Sequence, residues 1–205
     1  LADKLLASEH ADVLRESVPP KLVLPEWLAM KPPRRIPPDA DDVGLAAEII
    51  GQATRPLVLT GRGALAASPE LVRFLDRTGA VYLDTQESRG LVPSSHTSVV
   101  SAVRGRAMQE ADLVIVVGRK LDYQTGYGSP AVWPNARFVR IGDNAEELRE
   151  NRRGEVELFA HPATALAALA RALPARGPAL DVAWTEALRS EHLRRAKKVA
   201  AGLAE

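Results

Sequence analysis

Cysteine is absent from all 205 residues. That removes disulfides, thiolate nucleophiles and cysteine-ligated zinc together, and it suits a reducing, cytoplasmic compartment. Aromatic residues are sparse, with three each of Trp, Tyr and Phe, too few to build the stacking platforms of a nucleic-acid binder. A dominant charge is lacking too: 27 Lys and Arg stand against 26 Asp and Glu, and the basic pairs Arg34-Arg35, Arg152-Arg153 and Arg194-Arg195 are scattered. Nucleic acid is therefore not an expected partner. No apolar run approaches the roughly 20 residues that span a bilayer, so no membrane partner is expected either. The start, Leu1-Ala2-Asp3-Lys4, is not a signal peptide. It also lacks an initiator Met, which predicts a piece of a longer chain. His10, His96, His161 and His192 show no metal-ligand spacing, and no serine sits in a Gly-x-Ser-x-Gly elbow. A self-contained hydrolase site is not expected.

What is present divides into three zones. Residues 1–40 are rich in proline, at 19-20, 25, 32-33 and 37-38. Proline removes a backbone donor and disfavours helix before it, so this zone reads as an extended connector. Val13, Leu14, Leu22, Val23, Leu24 and Trp27 are apolar enough to dock it.

From 41 to 175 the pattern alternates. Asp41-Asp42 can cap a helix through Leu45 and Ile50. Pro56–Thr60 is a short apolar strand ending in Gly61-Arg62-Gly63. Ser68 as N-cap and Pro69 at the first helical position open a helix that Gly79 closes. Residues 80–83, 113–118, 137–141 and 155–159 read as further strands, with helices at 102–109 and from Pro162 to Leu173. The run 113–118 is apolar on both faces and β-branched, the mark of a central strand in a parallel sheet. Alternating strands and helices predict an α/β layer architecture with helices on both faces. Residues 176–205 read as a helical linker whose apolar side carries Val182, Leu188, Leu193, Ala196 and Val199.

Ligands of open parallel sheets bind outside the carboxyl ends of the strands, so the residues just after each strand are the candidates. After the first come Gly61, Arg62 and Gly63, which suit a tight turn near a phosphate and serve equally as a plain turn. After the second comes the polar loop with Thr85 and Ser88. After the third, Gly118, Lys120 and Asp122 offer contacts to a phosphate and a ribose, or an ordinary exposed ion pair. After the fourth, Asp143 and Asn144 sit where an acidic residue would take ribose hydroxyls, and Asp143 could equally cap a helix over 145–150.

These motifs together resemble the central domain of thiamine-diphosphate-dependent enzymes of the acetolactate synthase, oxalyl-CoA decarboxylase and 2-hydroxyacyl-CoA lyase type. The matching stretches are Arg55–Gly63, Thr85–Pro93 with Ser88-Arg89-Gly90, Ala111–Gly126, and Ile141–Asn144, in the family's order. Lys120 stands where that family has arginine, Tyr123 where it has a second aspartate, and Gly142 where it has the first aspartate of an Asp-x-Asp end. Ala102-Val103-Arg104 is similar to an Ala-x-Arg element of the acyl-CoA lyases, whose arginine lies near the nucleotide.

The resemblance implies a Rossmann-like three-layer fold of the DHS-like NAD/FAD-binding type, with a parallel sheet of about six strands. It implies a crevice that holds FAD, ADP or coenzyme A, or that is empty and structural. Thiamine diphosphate and Mg²⁺ would belong to the full-length enzyme and lie between a pyrimidine-binding and a diphosphate-binding domain, the partners implied for this chain. The full-length enzyme would be a homodimer or homotetramer. Its reaction would be cleavage or condensation beside the carbonyl of a 2-keto acid, in an acetolactate synthase-like enzyme, or of an acyl-CoA. This chain would be inactive alone. A free-standing nucleotide-binding enzyme of the sirtuin type competes with this reading, but sirtuins usually carry a cysteine zinc module.

Overall fold

The structure, a computed structural model, describes residues 34–175 and 178–202. The apolar docking residues Val13 to Trp27 lie outside the described residues. The fold is that of the unit from Arg35 onward. In chain order its elements are α1 (Ala40–Gln52), β1 (Pro56–Thr60), α2 (Ser68–Thr78), β2 (Val81–Leu83), α3 (Arg104–Glu110), β3 (Leu113–Val117), β4 (Arg137–Gly142), α4 (Ala145–Arg149), β5 (Val156–Phe159), α5 (Pro162–Ala172) and α6 (Val182–Gly202).

The five strands form one parallel sheet in the order β2-β1-β3-β4-β5. The sixth strand position survives only as a single parallel bridge, Tyr82 to Val99, on the outer edge of β2. Tyr82 N–H donates to Ser98 O and Val100 N–H to Tyr82 O, after which the chain turns into a 3₁₀ segment, Ser101–Val103. One bridge is too short to count as a strand, hence five rather than about six.

β3 is buried throughout, as its composition predicts. Its alternate side chains feed two cores. Ile115 and Val117 join Val58, Val139, Ile141 and Leu158 beneath α1, α2 and α5. Val114 and Val116 join Leu57, Leu59, Phe138 and Trp133 beneath α3 and α6. The helices change face where the strand order reverses, between β1 and β3. This keeps every crossover compatible with the right-handed rule.

Local chemistry differs from the sequence expectation at several helix starts. Asp39, not Asp41-Asp42, caps α1, accepting from Asp41 N–H (2.9 Å) and Asp42 N–H (3.2 Å). Ser68 does not cap α2. Its hydroxyl donates to Leu91 O at 2.6 Å and ties the helix start to the loop after β2. His161 sits at the start of α5, where Nδ1 accepts from Ala163 N–H. At the amino edge of the sheet, Asp112 accepts from Thr54 N–H (2.7 Å), Thr54 Oγ1 (2.7 Å) and Arg55 N–H (2.9 Å), which fixes the turn into β1 against the start of β3.

The C-terminal helix is more than a linker. Trp184 and Leu188 are buried in the second core, and Trp184 Nε1 donates to Glu110 at 2.8 Å. Asp181 receives Arg55 Nη2 at 2.9 Å and caps the helix through Trp184 N–H, and these contacts hold its carboxyl below the usual range. Val182, Leu193 and Val199 are exposed, so the packed face is narrower than the apolar periodicity suggested.

Further along, Arg189 donates to Thr97 O at 2.6 Å and His192 Nδ1 accepts from Ala102 N–H at 3.2 Å. Burial pushes the His192 pKa down from 6.5, so the fold favours the neutral ring. The stability it contributes is full above about pH 6.5 and is lost as the pH falls through its lower folded value. Acid titration followed by amide exchange at 97–102 should show opening as the pH falls below 6.5, and His192→Gln should remove that transition. Trp184→Ala should cost about 3 kcal/mol in urea unfolding. A loss under 0.5 kcal/mol would show that α6 does not pack as described.

Candidate functional site

The reversal of strand order between β1 and β3 makes a crevice at their carboxyl ends, where doubly wound sheets bind ligands. The structure places a cleft of about 520 Å³ there, lined among others by Arg62, Gly63, Gly118, Arg119, Lys120, Asp122, Asp143 and Asn144. A volume in the roughly 300–1,000 Å³ range is that of small-molecule sites.

The floor is two backbone loops in direct contact. Gly61 N–H donates to Val117 O (3.1 Å) and Gly63 N–H to Gly118 O (2.9 Å). Gly118 has φ +55, and a Cβ there would stand 2.4 Å from Gly63 C and 2.5 Å from Ala64 N. A Cβ on Gly63 would meet Gly118 Cα at 2.8 Å. The glycine requirement is therefore set first by loop-to-loop contact. Approach of a phosphate is not needed to explain it.

The expected site residues separate into three groups. Arg62, Gly63, Gly118, Lys120, Asp122, Asp143 and Asn144 line the cleft, and Gly61 lies beneath it against Gly118 and Arg119. Lys120 and Asp122 do not pair with each other. Lys120 reaches Glu150 at 2.9 Å, which raises its pKa, and both side chains are near half exposed. Asp122 holds Arg119 at 2.8 Å and caps the following turn through Gln124 N–H. Asn144, rather than Asp143, caps α4, accepting from Glu146 and Glu147 N–H. That leaves the Asp143 carboxyl facing the cleft uncommitted to the helix.

Thr85 and Ser88 are turned inward, not toward the cleft. Thr85 Oγ1 donates to Thr60 O (2.8 Å) and Ser88 Oγ donates to Thr60 O (3.0 Å), while Thr60 Oγ1 and Tyr82 OH share a bond of 2.7 Å. This buried network ties the ends of β1 and β2 together, and burial raises the Tyr82 pKa. Arg104 is also outside the lining. It donates to Asp84 O, and burial pushes its pKa down against the opposing pull of the Asp84 carboxylate.

Arg119 was missed. Its side chain is 9% exposed and its Nη2 donates to both Asp122 oxygens and to Gln124 Oε1. The signal available in the sequence was its place directly after the glycine of the central strand. Arg140 was missed as well. It is 1% exposed on β4 and gathers the loop after α4, donating to Glu150 O (2.9 Å), Arg152 O (2.8 Å) and Glu147 O. Burial pushes its pKa down too. That loop carries Glu150 to Lys120, so Arg140 shapes one wall of the cleft.

The family described as "Thiamine pyrophosphate enzyme, central domain" matches residues 43–169, and the chain belongs to that family. It is 32% identical over 117 residues to human 2-hydroxyacyl-CoA lyase 1, covering 56% of this chain and 20% of that protein. To the rice 2-hydroxyacyl-CoA lyase it is 34% identical over 114 residues, covering 54% of this chain and 20% of that protein. To oxalyl-CoA decarboxylase of Escherichia coli it is 23% identical over 164 residues, covering 79% of this chain and 29% of that protein. The chain thus spans about a fifth to three tenths of these relatives' length. The fold is similar to benzoylformate decarboxylase from Polynucleobacter necessarius, with a TM-score of 0.60, 19% identity, and 75% of this chain and 30% of that one covered.

Membership implies thiamine diphosphate in the family's enzymes. Its diphosphate needs a divalent cation with oxygen ligands, and the described residues hold no group of three or more His, Asp or Glu placed to bind a metal. The cleft residues do not fit that cofactor. No helix among the described residues is long and apolar enough to cross a membrane.

Gly118→Ala should lower stability by about 2–4 kcal/mol, since it combines a left-handed backbone with a backbone clash. Denaturant unfolding measures it. A change within 0.5 kcal/mol would contradict the loop contact.

Proposed function

We propose that this chain is the nucleotide-holding central domain of a thiamine-diphosphate-dependent enzyme acting on acyl-CoA compounds, a lyase or decarboxylase. The observation that carries the proposal is the cleft at the β1/β3 reversal, with glycine backbone on its floor and Arg119, Lys120 and Asp143 around it. Cations there suit a diphosphate, and the uncommitted Asp143 carboxylate suits ribose hydroxyls. Support for the acyl-CoA branch comes from relatives named 2-hydroxyacyl-CoA lyase and oxalyl-CoA decarboxylase. An acetolactate synthase-like enzyme with FAD in the cleft is the reading this one displaces.

In the whole enzyme thiamine diphosphate supplies an electron sink beside the substrate carbonyl. The residues of this chain bind and orient a nucleotide and join the two neighbouring domains. Those domains, a magnesium ion, assembly as a homodimer or homotetramer and a cytoplasmic location complete the proposal.

Thermal unfolding with ADP, coenzyme A and FAD tests it. A ligand that binds only the native state adds about 2.7 kcal/mol at a hundred times its Kd. ADP or coenzyme A should raise Tm and FAD should not. A rise with FAD alone, or a yellow purified protein, would overturn the acyl-CoA reading in favour of the flavin branch.

A further inference from the structure

Arg119 is the cation that the fold carries deepest into the cleft. It follows Gly118 at the strand-order reversal, and its Cβ and Cδ lie across Gly61, within 2.8 Å of where a Cβ on that glycine would stand. A guanidinium buried to this degree is costly unless its donors find acceptors. Here one nitrogen takes all of them: Nη2 donates to Asp122 Oδ1 (2.9 Å), Asp122 Oδ2 (2.8 Å) and Gln124 Oε1 (2.9 Å). Nε is buried with no partner, and among the described residues no acceptor is seated on Nη1. The other two cations of the cleft are placed differently. Lys120 is drawn to Glu150, and Arg62 is 73% exposed at the rim, 3.9 Å from Glu87.

We infer that Arg119 reads a phosphate of the nucleotide, with Asp122 and Gln124 holding its guanidinium in place. The inference rests on the nucleotide reading of the cleft. The chemistry follows from the planar fork. A guanidinium pinned through Nη2 has Nη1 fixed in direction, and Nη1 can donate a charge-assisted hydrogen bond to a phosphate oxygen. Burial lowers the local dielectric and strengthens that contact. The side-chain ordering is already in place before the ligand arrives. The Asp122 carboxylate offsets the net charge, so recognition depends on donor geometry more than on long-range attraction. Asp122 is a positioning residue in this scheme and touches no ligand atom.

Calorimetric titration of this chain with ADP and with adenosine tests the inference, using the unaltered protein, Arg119→Ala and Arg119→Lys. Unliganded melting of each variant reports folding. The unaltered protein should bind ADP more tightly than adenosine. Arg119→Ala should weaken ADP about tenfold or more and leave adenosine unchanged. Arg119→Lys keeps the charge without the fork, so its ADP affinity should fall between the two, and it serves if the alanine variant fails to fold. Equal weakening of ADP and adenosine would make Arg119 a support of the loop alone and overturn the inference. Unchanged ADP affinity in either folded variant would overturn it too. If the unaltered protein bound ADP and adenosine equally, the nucleotide reading would stand and the inference would fall. If it bound neither, both would fall.

Discussion

The contact of Gly118 with Gly63 and Ala64 is the constraint on which the site depends. Two loops leave neighbouring parallel strands at the same level, and the space between them is too small for one Cβ. Closing that space brings Arg62 on one loop and Arg119, Lys120 and Asp122 on the other to the same cleft. It also fixes the height of Asp143, because Gly118 N–H donates to Ile141 O at 2.7 Å and ties the end of β4 to the same junction. The candidate ligand groups thus stand on three strand ends held together by backbone, which is a stiffer mount than side-chain contacts would give.

Below that junction, polar groups are used to lock the sheet at both ends. Asp112 fixes the entry to β1 and β3, and the Thr60, Tyr82, Thr85 and Ser88 network fixes the exit of β1 and β2. Buried polar groups are tolerated only when satisfied, and these satisfy one another without reaching the cleft. A residue that sits in a ligand loop by sequence can therefore be wholly occupied by the fold.

The layer order was legible because β3 reads as an apolar, β-branched run and the helices between strands carry clear periodicity. Gly79 and Pro162 marked helix ends for local steric reasons. What was not legible depends on contacts between distant segments. Ser68 reads as a cap until Leu91 O claims its hydroxyl, and residues 176–205 read as a linker until Glu110 and the second core receive Trp184. The site was half legible. The glycines and charges that follow the strands are brought to one crevice by the fold. The pairing of Lys120 with Glu150 needs the loop that Arg140 gathers from below.

Family membership gives these parts a common setting, the central domain of a thiamine pyrophosphate enzyme. On the function proposed above, the cleft over the Gly63–Gly118 junction is where this domain holds a nucleotide. Backbone amide NMR during titration with ADP measures it most directly. Shifts should concentrate at Gly63, Gly118, Arg119 and Asp143, just beyond the ends of β1, β3 and β4. Shifts confined to residues away from those strand ends, or none at saturating ADP, would contradict that placement.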